Sequence, residues 1–262
     1  MKKIVAMIST FVLALSVLAG CGGDKGRTFT VGFDAEFPPY GYRDDNGEYI
    51  GFDLDLAAEV CERNGWELVK QPIDWDAKDN ELSSGAIDCI WNGFTLNGRE
   101  ELYTWTTPYV DNSQVFVVPS NSGITAKADL AGKVVAVQKD SSALSALNDE
   151  EVPENIALRD SFAKLIEYAD YNTAFMDLEQ GAVDAVAIDI GVASYQIEQR
   201  AEGDYVMLSE ALATEQYGVG FLLGNEELRD KVQKTLDEMA EDGTFAKIAE
   251  QWGLTDSICL GK

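Results

Sequence analysis

Histidine does not occur once in the 262 residues. Its absence removes Ser-His-Asp and Cys-His nucleophilic catalysis, HExxH-type zinc hydrolysis and the side chain that most readily switches charge near neutral pH. Positive charge is also scarce: 20 lysines and arginines stand against 46 aspartates and glutamates, a formal net of −26. A field of that sign repels phosphate backbones and argues against a nucleic-acid partner. A spanning helix is missing too, because the one long apolar run, Ile4 to Leu18, is shorter than the ~20 residues a bilayer requires. What remains, 46% hydrophobic and 25% charged, describes a globular chain long enough for two modest domains, not a disordered or fibrous one. An enzyme built from it would have to work with carboxylates, lysine, tyrosine or cysteine.

The apolar run follows Lys2 and Lys3 and ends in Leu18-Ala19-Gly20-Cys21, the layout of a secretory signal. The last four residues resemble the lipobox of bacterial lipoproteins. That resemblance implies cleavage of residues 1–20, lipidation of Cys21 and a flexible tether over 21–27, containing Gly22-Gly23-Asp24-Lys25-Gly26. Of four cysteines, Cys61, Cys89 and Cys259 then remain, so at most one disulfide forms within the chain and the sequence does not select the pair. None of the spacings suits zinc or a CxxC redox pair, and neither a metal nor a cofactor is expected.

From Thr28 onward strands alternate with helices, which predicts an α/β protein with mostly parallel sheets. Expected strands lie at 28–33, 66–71, 87–91, 114–118 and 134–138. Asp53 is placed as the N-cap of a helix that Gly65 stops, and an amphipathic helix with Leu228, Val232, Leu236 and Met239 is stopped by Gly243. An internal echo is the most informative pattern: LSSGAIDCI at Leu82 to Ile90 returns as LEQGAVDAV at Leu178 to Val186, 96 residues later. Both copies read as helix end, glycine stop and buried strand, and together they suggest two similar lobes. Ligands of open α/β sheets bind beyond the carboxyl ends of the strands. Asn92, Gly93 and Thr95 of one lobe are therefore expected to face Asp189 of the other.

Six segments, in order, carry a resemblance over nearly the whole exported chain. They are VGFDAEFPPYGYRDDNGEYIGFDLDLAAEV (Val31 to Val60), IDCIWNGFTLNGREE (Ile87 to Glu101), TTPYVDNSQVFVV (Thr106 to Val118), LAGKVVAVQKDSS (Leu130 to Ser142), QGAVDAVAID (Gln180 to Asp189) and GTFAKIAEQWG (Gly243 to Gly253). The chain resembles the family 3 extracellular solute-binding proteins, the polar amino acid receptors of bacterial ABC importers. The resemblance implies a two-lobed periplasmic-binding-protein fold of type II, with lobe 1 at 27–113 and 216–262, lobe 2 at 114–215, and two hinge strands between them. It further implies that Arg99 grips the ligand's α-carboxylate as a planar fork and Asp189 its α-ammonium. Thr95 and the backbone around Asn92 and Gly93 match hydrogen-bonding positions, Ser141 and Ser142 the hydroxyl pair of the second lobe, and Phe37 and Trp75 the apolar residues around the ligand's stem. Asp34 matches a side-chain contact, with Glu36 a weaker candidate.

Two departures stand out. The segment Gly93-Phe94-Thr95-Leu96-Asn97-Gly98-Arg99 is one residue shorter than the family's, and Asp140 stands where a glycine is usual, with Lys139 expected to offset its charge. The implied partners are a free amino acid, polar or cationic given Asp34 and Glu36, and an ABC permease, with membrane attachment through the lipid alone and a monomeric state. A dehydratase on the same scaffold, with Glu36 or Asp34 as proton donor, and a sensory receptor are the competing readings.

Overall fold

A computed structural model describes residues 26–261. The signal sequence and Cys21 lie outside the described residues. β-Branched and aromatic residues fill TFTVGF, which forms β1 (Thr28–Phe33), buried from Val31 onward. A small antiparallel sheet follows, made of β2 (Glu36–Phe37), β3 (Gly41–Arg43) and β4 (Tyr49–Ile50). Next come α1 (Phe52–Asn64), β5 (Glu67–Pro72), α2 (Lys78–Ser84), β6 (Cys89–Ile90) and β7 (Tyr103–Trp105). The ten-residue β8 (Val110–Pro119) leads into β9 (Val134–Gln138), α3 (Ser142–Leu147), α4 (Pro153–Ser161), β10 (Lys164–Tyr168) and α5 (Tyr171–Glu179). Then follow β11 (Ala185–Asp189), α6 (Ile190–Glu198), β12 (Tyr205–Met207) and β13 (Ala213–Tyr217). The chain returns through β14 (Gly220–Leu222) to α7 (Glu226–Asp242) and α8 (Thr244–Gln251).

Beside the small β2-β3-β4 sheet two larger sheets result, one per lobe. The first has the order β5-β1-β6-β14-β7, with β1 parallel to β5 and β6. In the second, β10-β9-β11 are parallel neighbours and β8 closes against β11 in the antiparallel sense. The other edge of β8 pairs first with β13 and then with β12, so the strand that enters this lobe and the strand that leaves it lie side by side.

Expectation and structure part company at two points. The expected strand over 87–91 is reduced to Cys89–Ile90, because Trp91 already turns into the loop that follows. Asp53 is not the N-cap of α1: Gly51 holds that place at φ 149, where a Cβ would stand 2.2 Å from the Tyr40 carbonyl oxygen. Asp53 thus falls inside the first turn with its side chain free to reach inward. Cys61 and Cys89 are buried free thiols.

One apolar cluster runs through both lobes by way of Phe37, Tyr40, Tyr171 and Tyr217. Phe37 stacks toward Tyr171 at 6.1 Å and Tyr40 meets Tyr217 edge-on at 5.2 Å, so the cleft is closed over aromatic rings. Behind them the Tyr40 hydroxyl lies under α6, where a Cβ on Gly191 would approach it to 2.5 Å.

Candidate functional site

The carboxyl end of β6 releases the chain into Asn92-Gly93-Phe94-Thr95, buried throughout. Two fixings hold this loop. The Asn92 Oδ1 accepts the Asp34 amide at 3.0 Å, and the carboxylate of Asp53, reaching across from α1, accepts the Gly93 amide at 2.5 Å and the Tyr109 hydroxyl at 2.8 Å. Gly93 itself has φ 55, and a Cβ there would stand 2.9 Å from the Phe37 ring. Glycine is required both by the backbone angle and by the ring that closes over it. After Thr95 the short turn at Gly98 brings Arg99 back: its Nη1 donates to the Thr95 carbonyl at 3.1 Å and its guanidinium lies 5.5 Å from the centre of the Phe94 ring. The shortened segment therefore still delivers the arginine to the loop.

The second lobe faces this loop with the ends of β9 and β11. Gln138 closes β9, and its Nε2 donates to Asp34 Oδ2 at 2.6 Å and to the Ala169 carbonyl at 3.0 Å. Ser141 caps α3 by accepting the Leu144 amide at 3.2 Å, whereas the Ser142 hydroxyl points across the cleft and receives the Thr95 hydroxyl at 3.2 Å. Asp189 occupies the N-cap position of α6 but makes no capping bond. Instead its Oδ1 accepts from Asn112 Nδ2 at 2.9 Å, Gln114 Nε2 at 2.8 Å and the Tyr217 hydroxyl at 2.5 Å.

These groups surround one pocket between the lobes, about 280 Å³ including its opening, lined by Phe37, Trp75, Asn92, Gly93, Thr95, Arg99, Gln138, Ser141, Ser142 and Asp189. Of the residues expected from sequence, two are not on this wall, the weaker candidate Glu36 and Asp34. Asp34 is buried behind it, with Gln138 on one oxygen and the Glu36 amide on the other at 2.8 Å. Glu36 is exposed and bonds to Asn172 of α5. The charge of Asp140 is met by Lys78, not by Lys139. Lys78 is 2% exposed, rests 5.1 Å from the centre of the Trp75 ring and forms an ion pair with Asp140 across the cleft. Asp140 adopts φ 54, a left-handed angle that glycine takes without strain and other residues do not.

Sequence reading missed Gln138, Asp53 and the polar residues of β8 and β13. A glutamine ending the apolar run Val134-Val-Ala-Val-Gln138 was the available signal, since strand ends face ligands in such sheets. For Asn112, Gln114 and Glu215 the signal lies in the pairing: Asp189 is opposite Gln114, and Glu215 opposite Asn112, on one face of three adjacent strands.

The site is electrically divided. Arg99 supplies a cation on the first lobe. Burial raises three carboxyls against the hydrogen bonds that pull them down: Asp34 to about 6, Asp53 to about 7 and Asp189 to about 7, the last also by the charge of Glu215. The arrangement offers a planar double donor at one end, an acid at the other, hydroxyls and backbone between, and aromatic walls. Its chemistry is recognition of a small zwitterion.

Comparison with known proteins agrees in scale with this geometry. The family model for bacterial extracellular solute-binding proteins, family 3, matches residues 29–255. The chain is 29% identical to the L-cystine-binding protein TcyJ of Escherichia coli strain K12 over 256 residues, 92% of each chain. It superposes on an ABC uptake transporter substrate-binding protein from Streptococcus pneumoniae with bound histidine at a TM-score of 0.81 and 35% identity, covering 86% of this chain and 92% of that one. An ancestral arginine-binding protein bound to glutamine gives a TM-score of 0.77 at 34% identity, over 87% and 98%.

Proposed function

The chain belongs to the bacterial extracellular solute-binding proteins, family 3, and from that premise we propose that it captures one free amino acid between its lobes and hands it to an ABC permease. The observation that carries this reading is the pocket with Arg99 at one side and Asp189 at the other. In it the α-carboxylate takes the two parallel donors of Arg99, the α-ammonium takes Asp189 and Thr95, and Phe37 and Trp75 enclose the stem. The side chain then runs toward Gln138 and Asp34, which favours a polar or cationic ligand. The hinge lies where β8 and β13 run together, with lobe 1 at 27–113 and 216–262 and lobe 2 at 114–215, and closure on the ligand creates the shape the permease docks. A lipid on Cys21 and the tether over 21–27 hold the protein at the outer face of the membrane. Among the described residues no helix is long and apolar enough to cross it.

Binding without turnover is the role we assign. Both carboxyls available as proton donors are engaged, Asp34 by Gln138 and the Glu36 amide, Glu36 by Asn172. The test is thermal unfolding of the purified protein against the common amino acids and cystine. A ligand at 100 times its Kd stabilises by about 2.7 kcal/mol, Arg99→Ala should abolish that gain, and silence across the panel would overturn the assignment.

A further inference from the structure

Beside Asp189, just behind the pocket wall, stands a second carboxylate, Glu215. Asn112 Nδ2 donates to Asp189 Oδ1 at 2.9 Å and also to Glu215 Oε1 at 2.6 Å, and Gln114 Nε2 donates to the same two oxygens at 2.8 and 2.7 Å. Two amide nitrogens therefore clamp two acids face to face. Both acids are buried, Asp189 at 3% exposure and Glu215 at 7%, and their partners are amides and hydroxyls. Ser142, on the pocket wall, joins the cluster at 3.2 Å from Glu215, while the Oε1 of the fully buried Gln114 has no donor at all. Acceptors are in excess and positive charge is lacking.

The groups facing the pair do not supply it. Tyr217 from β13, Tyr40 from the first lobe and Tyr171 from α5 are phenols that burial, and then nearby carboxylate charge, hold well above their ordinary range, so they are neutral. Asp53 and Asp34, behind Tyr40 and Tyr171, add further negative charge. Arg99 shares the cleft but spends its Nη1 on the Thr95 carbonyl.

We infer that Glu215 is the second acid of the ammonium subsite, and that the empty pair shares one proton which the ligand's α-ammonium displaces into solvent. This rests on the amino acid reading above. Two like charges on common donors in a buried place cannot both ionise easily, and a cation between them removes the obstacle. Burial together with Glu215 sets the proton's departure near neutral pH. Below that pH, binding releases the proton and affinity climbs as pH rises. Above it Asp189 is already ionised and affinity levels off.

Calorimetric titration of the full exported chain with L-glutamine, L-arginine and L-cystine at pH 6, in two buffers of different ionisation enthalpy, measures the proton directly. About one proton should leave per ligand bound, and affinity should rise about tenfold per pH unit up to about pH 7. Glu215→Gln should release fewer protons, flatten the pH profile and weaken binding at pH 8 by about tenfold or more, while the empty protein melts no lower than the unaltered one. Glu215→Asp should restore most of the pH response. Binding without proton release, or a Glu215→Gln variant whose affinity falls only in step with lost stability, overturns the inference and leaves the amino acid assignment standing. Failure of the unaltered protein to bind any of the panel overturns both.

Discussion

Strands β6 and β11 are entered in the same way and left in different ways. Before β6, Gly85 turns at φ 77, Ile87 is buried, and the Asp88 carboxylate accepts the Thr30 amide at 2.8 Å. Before β11, Gly181 turns at φ 71, Val183 is buried, and Asp184 accepts the Val134 amide at 2.8 Å. Beyond the strands the lobes separate. The first runs into a loop pinned from behind by Asp53, whereas the second ends on Asp189 and passes straight into α6. Each lobe thus keeps a buried acid near its carboxyl edge, but Asp53 accepts from donors of its own lobe, whereas Asp189 shares two of its donors, Asn112 and Gln114, with Glu215. The shared entry serves folding; on the function proposed above, the unlike exits serve recognition.

The comparison breaks most sharply if the two acids are exchanged in kind. Asp53→Ala leaves the Gly93 amide and the Tyr109 hydroxyl without an acceptor in a dry place, and should cost about 2–4 kcal/mol in urea unfolding. Asp189→Ala strips the Tyr217 hydroxyl of its acceptor but relieves the repulsion from Glu215, so it should cost the empty protein less than Asp53→Ala, yet weaken ligand binding by about a hundredfold or more in calorimetry. Equal stability losses at the two positions would mean that Asp189 is structural as well.

A pH series sharpens the same contrast. The raised carboxyls of Asp53 and Asp189 bind protons in the folded state that the unfolded chain has already given up. Stability associated with each is therefore present at about pH 4 and lost as pH rises toward 7. Asp53→Asn should remove its share of that slope with or without ligand. The share of Asp189 should vanish on adding ligand alone.

Smaller effects test the matched entries. Asp88→Ala and Asp184→Ala should each cost about 1–2 kcal/mol, with Asp88 slightly more because it also pairs with Arg27 at 2.9 Å. Gly85→Ala and Gly181→Ala meet open space, so each should cost only the left-handed backbone, about 1 kcal/mol. A large difference between members of either pair, read from chemical denaturation, would show that the echo is one of sequence and not of mechanics.

Local chemistry made much of this readable in the sequence. β1 and β9 fall on the expected residues because their apolar runs are bounded by polar or turn residues, and α1 and α7 end at the expected glycines. On the pocket wall Asn92, Gly93, Thr95 and Asp189 were legible because they follow strand ends, whereas Phe37, Trp75, Arg99, Ser141 and Ser142 came only with the resemblance to the family. Asp53 was misread because the start of α1 is decided by Gly51 pressing against Tyr40, a contact no local rule contains. Lys78 with Asp140, and Asn112, Gln114 and Glu215, were hidden for the same reason: each becomes part of the site only through pairing between distant segments.

The glycine over Tyr40 reaches further than packing. Tyr40 precedes the long strand β8 and Gly191 lies in the first turn of α6 beyond it, so the 2.5 Å that a Cβ would leave is a clearance between segments far apart in the chain. Gly191 has an ordinary backbone angle, and a larger residue meets no conformational objection except that hydroxyl. On the two-lobe closure proposed above, a Cβ at 191 would stand between the lobes, so Gly191→Ala should leave the ligand-bound protein more open, read as a larger radius of gyration in small-angle scattering.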